Sequence, residues 1–261
     1  MINWHNLWDR VAEALGWLMF VIIMTLLWIL AVTSMQAQTV PLVRAQHDSF
    51  VCYYDIMTHN PALVCYTLEH RHFSGSNKVK GRHFKADTKL PRPRVLDGDY
   101  SNTGYVRGHL VSAGDRDSDK AWLKETYLTS NLVPMTMVCN SGRWKIIEDS
   151  CRLLAMQGHR LLIGRGPLYY DNSRSFSKRN TGLVRITVPD GFFSFARCLD
   201  CPLVYCSTCY NSGSQGLDSV LRTARNNVTQ SLSYYRDPRV SQLLTNILGV
   251  WSREEYETIT R

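Results

Sequence analysis

The sequence contains no internal repeat and no low-complexity tract. That excludes a solenoid and leaves 261 residues, enough to bury one good core and little more. Acid is in short supply: 22 Asp and Glu stand against 30 Lys and Arg, for a net charge of +8 and an isoelectric point near 9.1. This balance suits a polyanionic partner or a membrane surface, although a merely soluble basic protein shares it. Charge is missing altogether between Glu13 and Arg44. Within that gap residues 15–32 are almost wholly apolar, close to the roughly 20 that a helix needs to span a bilayer. No basic start precedes the run, since Asp9, Arg10 and Glu13 lie there. A cleaved signal has a basic start and an apolar centre of roughly 7–15 residues, so the run predicts an uncleaved single-pass helix. Trp4, Trp8, Trp17 and Trp28 are placed as interface anchors. The competing reading is a signal cleaved after Ser34 or Ala37, which would release a secreted protein. Few Lys or Arg flank the span, so its topology is open. The expected organisation is an anchor or signal over residues 1–34, a linker over 35–48 and a folded domain over 49–261.

Residues 104–152 concentrate the chemistry. Arg107-Gly108-His109 puts a base beside a cation at the end of an extended run, and alternation lets both side chains point the same way. From Arg143 on, Trp144, Ile147, Cys151 and Leu154 mark one side of a helix. On that helix Glu148 and Arg152 are four apart and share a face, which also fits an ordinary ion pair. Asn140, eight residues before Glu148, reads as the helix entrance, either an N-cap or an oxygen donor to a hard cation. A histidine, an amide, a carboxylate and two arginines suit metal-assisted attack on a phosphodiester.

These residues carry a resemblance. Gly104, Tyr105, Arg107, Gly108, His109, Leu110, Ala113 and Asp115 are followed by Thr126, Ser130, Asn131 and Pro134, then by Asn140, Trp144, Glu148 and Arg152. The spaced set resembles the DNA/RNA non-specific endonucleases, whose site is a ββα-metal finger, and the likeness extends over about residues 50–225. It implies an α+β domain: an antiparallel central sheet flanked by helices, with the ββα motif at its edge. It implies His109 as general base, Arg107 neutralising phosphate charge, Asn140 as ligand of Mg2+ or Mn2+, and Glu148 joining the metal or holding its water. Arg152 then stabilises charge on the phosphate in the transition state. The implied substrates are DNA and RNA, and a homodimer is compatible with the resemblance. Two positions depart from the pattern. Val106 replaces the acid that usually precedes Arg-Gly-His, and Met135 replaces a glutamine. Val106 motivates an alternative, a catalytically weakened, membrane-anchored nucleic-acid-binding or adaptor protein of the same fold.

Elsewhere, Phe50–Tyr54 and Ala62–Glu69 read as strands, with Cys52 and Cys65 open to a disulfide or to two buried thiols. The basic run Lys78, Lys80, Arg82, Lys85, Lys89, Arg92 and Arg94 reads as a phosphate-binding rim, with Lys80 and Arg82 nearest the scissile region. Asp115, Asp117 and Asp119 lack the glycine and terminal glutamate of a calcium loop and read as a polar loop. Asn131 reads as a tie between backbone segments. Strands are expected at 159–165, ended by a turn at Gly166-Pro167, and at 183–189 and 191–197, with a polar loop at 171–180 between them. Cys198-x-x-Cys201-x4-Cys206-x-x-Cys209 admits a structural zinc or a pair of disulfides. An extracytoplasmic or lumenal nuclease domain favours the disulfides. Helices are expected at 215–226 and 240–250, with a glycosylation sequon at Asn227.

Overall fold

A computed structural model describes residues 17–19, 21–25, 42–79, 81, 84–169, 173–177, 184–201, 204–212, 221–223 and 239. Lys80, Arg82, the sequon at Asn227 and the helix expected at 240–250 lie outside the described residues. The chain divides into two units, Met1–Val40 and Pro41–Arg261. In the first, residues 17–19 and 21–25 are helical, and Trp17, Leu18, Met19, Val21, Ile22, Ile23 and Met24 are exposed. The rest of the expected span falls outside the described residues, and no described helix is long and apolar enough to cross a membrane.

The second unit is built on a seven-stranded sheet with spatial order β1-β2-β3-β6-β9-β10-β11. Its strands are β1 (Val43–Gln46), β2 (Val51–Asp55), β3 (Asn60–Leu68), β6 (Leu161–Leu168), β9 (Gly191–Cys198), β10 (Val204–Tyr210) and β11 (Leu221–Thr223). Every neighbouring pair is antiparallel. Alternation sends side chains of one strand to two cores. Cys52, Tyr54, Val64, Tyr66, Ile163, Phe192 and Ala196 fill one face, while Tyr53, Leu63, Cys65, Leu162, Phe193 and Phe195 fill the other. Two small antiparallel ribbons complete the strands: β4 (Val106–His109) with β5 (Leu132–Met135), and β7 (Ser175–Phe176) with β8 (Ile186–Thr187).

Among the described residues of this unit the longer helices are α1 (Lys120–Glu125), α2 (Met137–Ser141) and α3 (Arg143–Met156). Asp119 caps α1 by accepting from the amides of Ala121 and Trp122. On α3 Trp144, Ile147, Cys151 and Ala155 are buried, a 3.6-residue stripe that packs on the first core. The order β4, β5, α3 is the expected ββα unit.

Several expectations change. Residues 43–46, within the stretch read as a linker, form edge strand β1 on β2. Gly166-Pro167 does not end a strand; both lie inside β6, opposite Phe193 and Phe192. Gly166 is there because a Cβ would meet the Ala62 carbonyl oxygen at 2.3 Å, a close approach rather than a turn. Cys52 and Cys65 do not pair. Cys52 stands opposite Val64, so the one-residue offset places the two thiols on opposite faces. Residues 221–223, expected in a helix, pair with β10 as strand β11.

Candidate active site

Residues Val106–His109 pair with Leu132–Met135, and alternation along this short ribbon sets the site. Gly108 faces inward against Met135, where a Cβ would lie 2.7 Å from the sulfur and 2.8 Å from Cβ. Met135, the departure from the family's glutamine, is therefore a core residue that fixes the ribbon. Val106 packs against the same core. Arg107 and His109 share the other side, for both lie against Phe84: the Arg107 guanidinium is 5.3 Å and the His109 ring 5.6 Å from its centroid. The His109 ring also meets Tyr127 edge-on at 5.3 Å. Arg107 is not open to solvent as a bare cation. It pairs with the Asp97 carboxylate at 2.5 Å, donates to the Asp97 carbonyl at 2.7 Å and lies over Tyr100.

Helix α3 is clamped to this ribbon. The Trp144 indole donates to the His109 carbonyl oxygen at 3.0 Å. Asn140 does not open α3. It sits near the end of the separate short helix α2, which Thr136 caps by accepting from the Cys139 amide. Gly142 breaks the chain between the two helices. The N-cap alternative for Asn140 is therefore excluded. Half-buried Asn140 rides on a helix that packs against β4 and α3.

Beneath α3 lies a charge network that the sequence only half disclosed. Asp115 is fully buried and is its hub, not a loop residue. Its carboxylate accepts from Arg152 at 2.6 Å and from the Tyr66 hydroxyl at 2.7 Å, and lies 3.7 Å from Arg165. Arg165 is fully buried on β6 and also donates to the Leu110 carbonyl at 3.1 Å. Arg152 is held on its other side by Asp149 at 2.5 Å. Glu148 stands 4.0 Å from both Arg152 and Arg165, beyond hydrogen-bond reach of either. Burial pushes its carboxyl up to about 7; Arg165 pulls against that rise and Asp115 adds to it. The arginines offset the buried Asp115 charge, and Asp149 completes the pairing of Arg152 at the surface, which makes the burial tolerable.

Arg165, Tyr66 and Asp97 were not singled out from sequence. Arg165 carried a signal: a lone cation in an otherwise apolar strand needs a buried partner. The other acids of the 115–119 run serve the fold, Asp117 accepting from the Gly75 amide and Asp119 capping α1. Asn131 does tie backbone, donating to the Val111 and Thr126 carbonyls and accepting from the Val111 amide. Within the basic run, Lys89 donates to the Gln46 carbonyl and Arg94 to those of Leu90 and Thr88, so these cations are engaged locally.

The cysteine cluster is only partly joined. Cys198 and Cys201 form a disulfide, whereas Cys206 and Cys209 do not. A spacing of three on β10 sends Cys206 and Cys209 to opposite faces, where Cys209 meets Cys139 at 3.8 Å. Neither a four-cysteine zinc site nor a second disulfide is assembled.

The chain is similar in sequence to several nucleases. A nuclease of Nostoc is 29% identical over 186 residues, covering 70% of this chain and 60% of that protein. Mouse mitochondrial nuclease EXOG is 32% identical over 54% of this chain and 40% of its own, and Caenorhabditis elegans mitochondrial endonuclease G is 28% identical over 58% and 52%. The chain thus spans 60% or less of the length of these relatives. The solved EndoG/EndoGI complex contains a chain of the same fold, with a TM-score of 0.56 at 24% identity over 72% of this chain and 82% of that one. Residues 33–212 match the model of the DNA/RNA non-specific endonucleases, and the chain belongs to that family.

Proposed function

We propose that the chain is a divalent-metal-dependent endonuclease that hydrolyses phosphodiester bonds in DNA and RNA with little base specificity. The observation that carries this reading is Glu148. It is a mostly buried carboxylate on a helix clamped to the His109 backbone, with both oxygens out of hydrogen-bond reach of the nearest arginines. Such a group keeps acceptor capacity for a hard cation or its water, and the Asn140 amide oxygen adds a second hard donor. Glu148 and Asn140 would hold Mg2+ or Mn2+, which when bound polarises the phosphate and neutralises its charge. His109 takes the proton from the attacking water, a task that suits an imidazole because its ordinary pKa lies near working pH. Arg107, braced by Asp97, presents positive potential on the same side as His109. Arg152 is engaged by Asp115 and Asp149, so its part is electrostatic support of Glu148 from a fixed place.

A plasmid-nicking assay with Mg2+ titrated over the full chain tests the reading. His109→Ala should keep the fold and lose about 10²–10⁴-fold in rate. A wild-type rate in that variant would leave the base elsewhere. No metal-dependent nicking by the native chain would favour the non-catalytic adaptor.

The apolar run at 15–32 supports a membrane-anchored protein, the described helical residues there expose apolar side chains, and the Cys198–Cys201 disulfide favours an extracytoplasmic or lumenal nuclease domain. Carbonate extraction should leave the full-length chain in the pellet. A soluble mature chain starting near residue 35–38 would establish a cleaved signal instead.

A further inference from the structure

Apart from the Glu148 network, a second set of donors converges where α3 ends and β9 ends. Gly158, at φ +92°, closes α3, and the His159 amide donates back to the Leu154 carbonyl at 3.3 Å. The histidine is thereby fixed at the helix exit. Cys198 is the last residue of β9, opposite Leu161 at the start of β6. The Leu199 amide donates to the Arg160 carbonyl at 2.7 Å, and the Arg160 amide donates to the Asp200 carboxylate at 3.3 Å. Two chain segments are thus locked together, once by backbone alone and once through the Asp200 side chain. At the junction, one donor atom each from His159, Cys198, Asp200 and Cys201 lies within 4.8 Å of all the others.

The atom types point to a metal, although Cys198 Sγ and Asp200 Oδ1, now 2.8 Å apart, have to separate to share one. His159 Nδ1 is 3.7 Å from Cys198 Sγ and 3.9 Å from Asp200 Oδ1. Ligands around a tetrahedral zinc, at bond lengths near 2.0–2.3 Å, stand roughly 3.3–3.8 Å apart. Two sulfurs, an imidazole and one carboxylate suit Zn2+ and not the hard ion of the nuclease site. The sulfurs are joined here as a disulfide, and in that form neither offers a thiolate. We propose that reduction of the Cys198–Cys201 bond converts this junction into a structural zinc site held by His159, Cys198, Asp200 and Cys201. A dithiol or phosphine reductant supplies two electrons, the S–S bond breaks and each sulfur takes up a proton. The metal then displaces both protons as the thiolates bind it. Four protein ligands close the coordination, so the ion fastens the end of α3 to the β9–β10 turn and performs no chemistry. Asp200 is suited to its part because the Arg160 amide already orients its carboxylate. The site differs from a four-cysteine zinc, which the opposite facing of Cys206 and Cys209 forbids.

Cobalt titration of the purified full chain, kept anaerobic after phosphine reduction, tests the proposal. Thiolate-to-cobalt charge transfer and tetrahedral visible bands should grow to one cobalt per chain, and zinc should displace them. Oxygen donors at Asn140 and Glu148 give neither signal, so the two metal sites are told apart. The unreduced chain should show no bands. Cys201→Ser should abolish them. His159→Ala and Asp200→Ala, at partly exposed positions, should keep the circular dichroism of the native chain while weakening cobalt binding by more than the roughly tenfold to hundredfold that losing an orienting partner costs. Cys206→Ser should titrate like the native protein. The proposal is overturned if the reduced chain develops no thiolate band. It is equally overturned if His159→Ala binds as the native chain does, or if Cys206→Ser loses the bands as fully as Cys201→Ser.

Discussion

At Glu148 a single buried carboxyl makes stability depend on pH in an uncommon direction. The folded chain holds its proton up to about pH 7, whereas the ordinary value is 4.5. Between those values the native state binds more protons than the unfolded one, so stability must fall as pH rises. The benefit of the protonated form is complete below about 4.5 and gone above about 7. Arg165 and Arg152 limit the loss, and Asp115 and Asp149 add to it. Glu148→Gln removes the titration but keeps the shape. In metal-free protein it should raise stability by about 1–3 kcal/mol above pH 7 and by little near pH 4.5, read from denaturant melts across that range. Added Mg2+ should stabilise the native chain more than the variant. A stability difference that does not change with pH would mean that Glu148 is ionised throughout.

The ββα unit depends on one contact inside its ribbon. Gly108 lets β4 lie flush on Met135, and an added methyl would intrude on both the Cβ and the sulfur of that side chain. Gly108→Ala should cost about 1–3 kcal/mol in denaturant unfolding. In a Met135→Ala background the same change should cost less, and simple additivity of the two substitutions would rule out the clash. Of this unit, the extended run at Arg107–His109 and the helix from Arg143 were legible as local signals, whereas the ββα arrangement came from the resemblance and the strand Leu132–Met135 was not read. What joins the unit to the sheet was not legible either. The alternation Asp115-Arg116-Asp117 reads as solvated, since nothing local shows that Asp115 and Arg116 are buried while Asp117 is left to hold a loop. The separation of Cys52 from Cys65 was invisible for a related reason. Strand register decides the face, and register is a property of two strands at once. Gly166 had two readings, turn or close approach, and only the neighbouring strands choose between them.

Over the whole molecule the excess of base bears on how the proposed nucleic-acid substrate would be gathered. A net charge of +8 suits binding through phosphates, which releases counterions. Binding to plasmid by a cleavage-dead His109→Ala chain should weaken linearly in log affinity against log salt, by about 0.9 for each phosphate neutralised. A flat dependence would show that the charge takes no part. The sheet order has a further consequence for the time at which the proposed site is assembled. Strands β3 and β6 are neighbours, yet residues 69–160 lie between them in sequence, and this excursion carries Arg107, His109, Asn140, Glu148 and Arg152. Arg165, the cation that lies beside both Asp115 and Glu148, arrives only with β6. During synthesis every proposed catalytic side chain therefore leaves the ribosome before the strand that completes their electrostatics, and the nascent chain carries the parts of the proposed site without their final arrangement until that strand has docked.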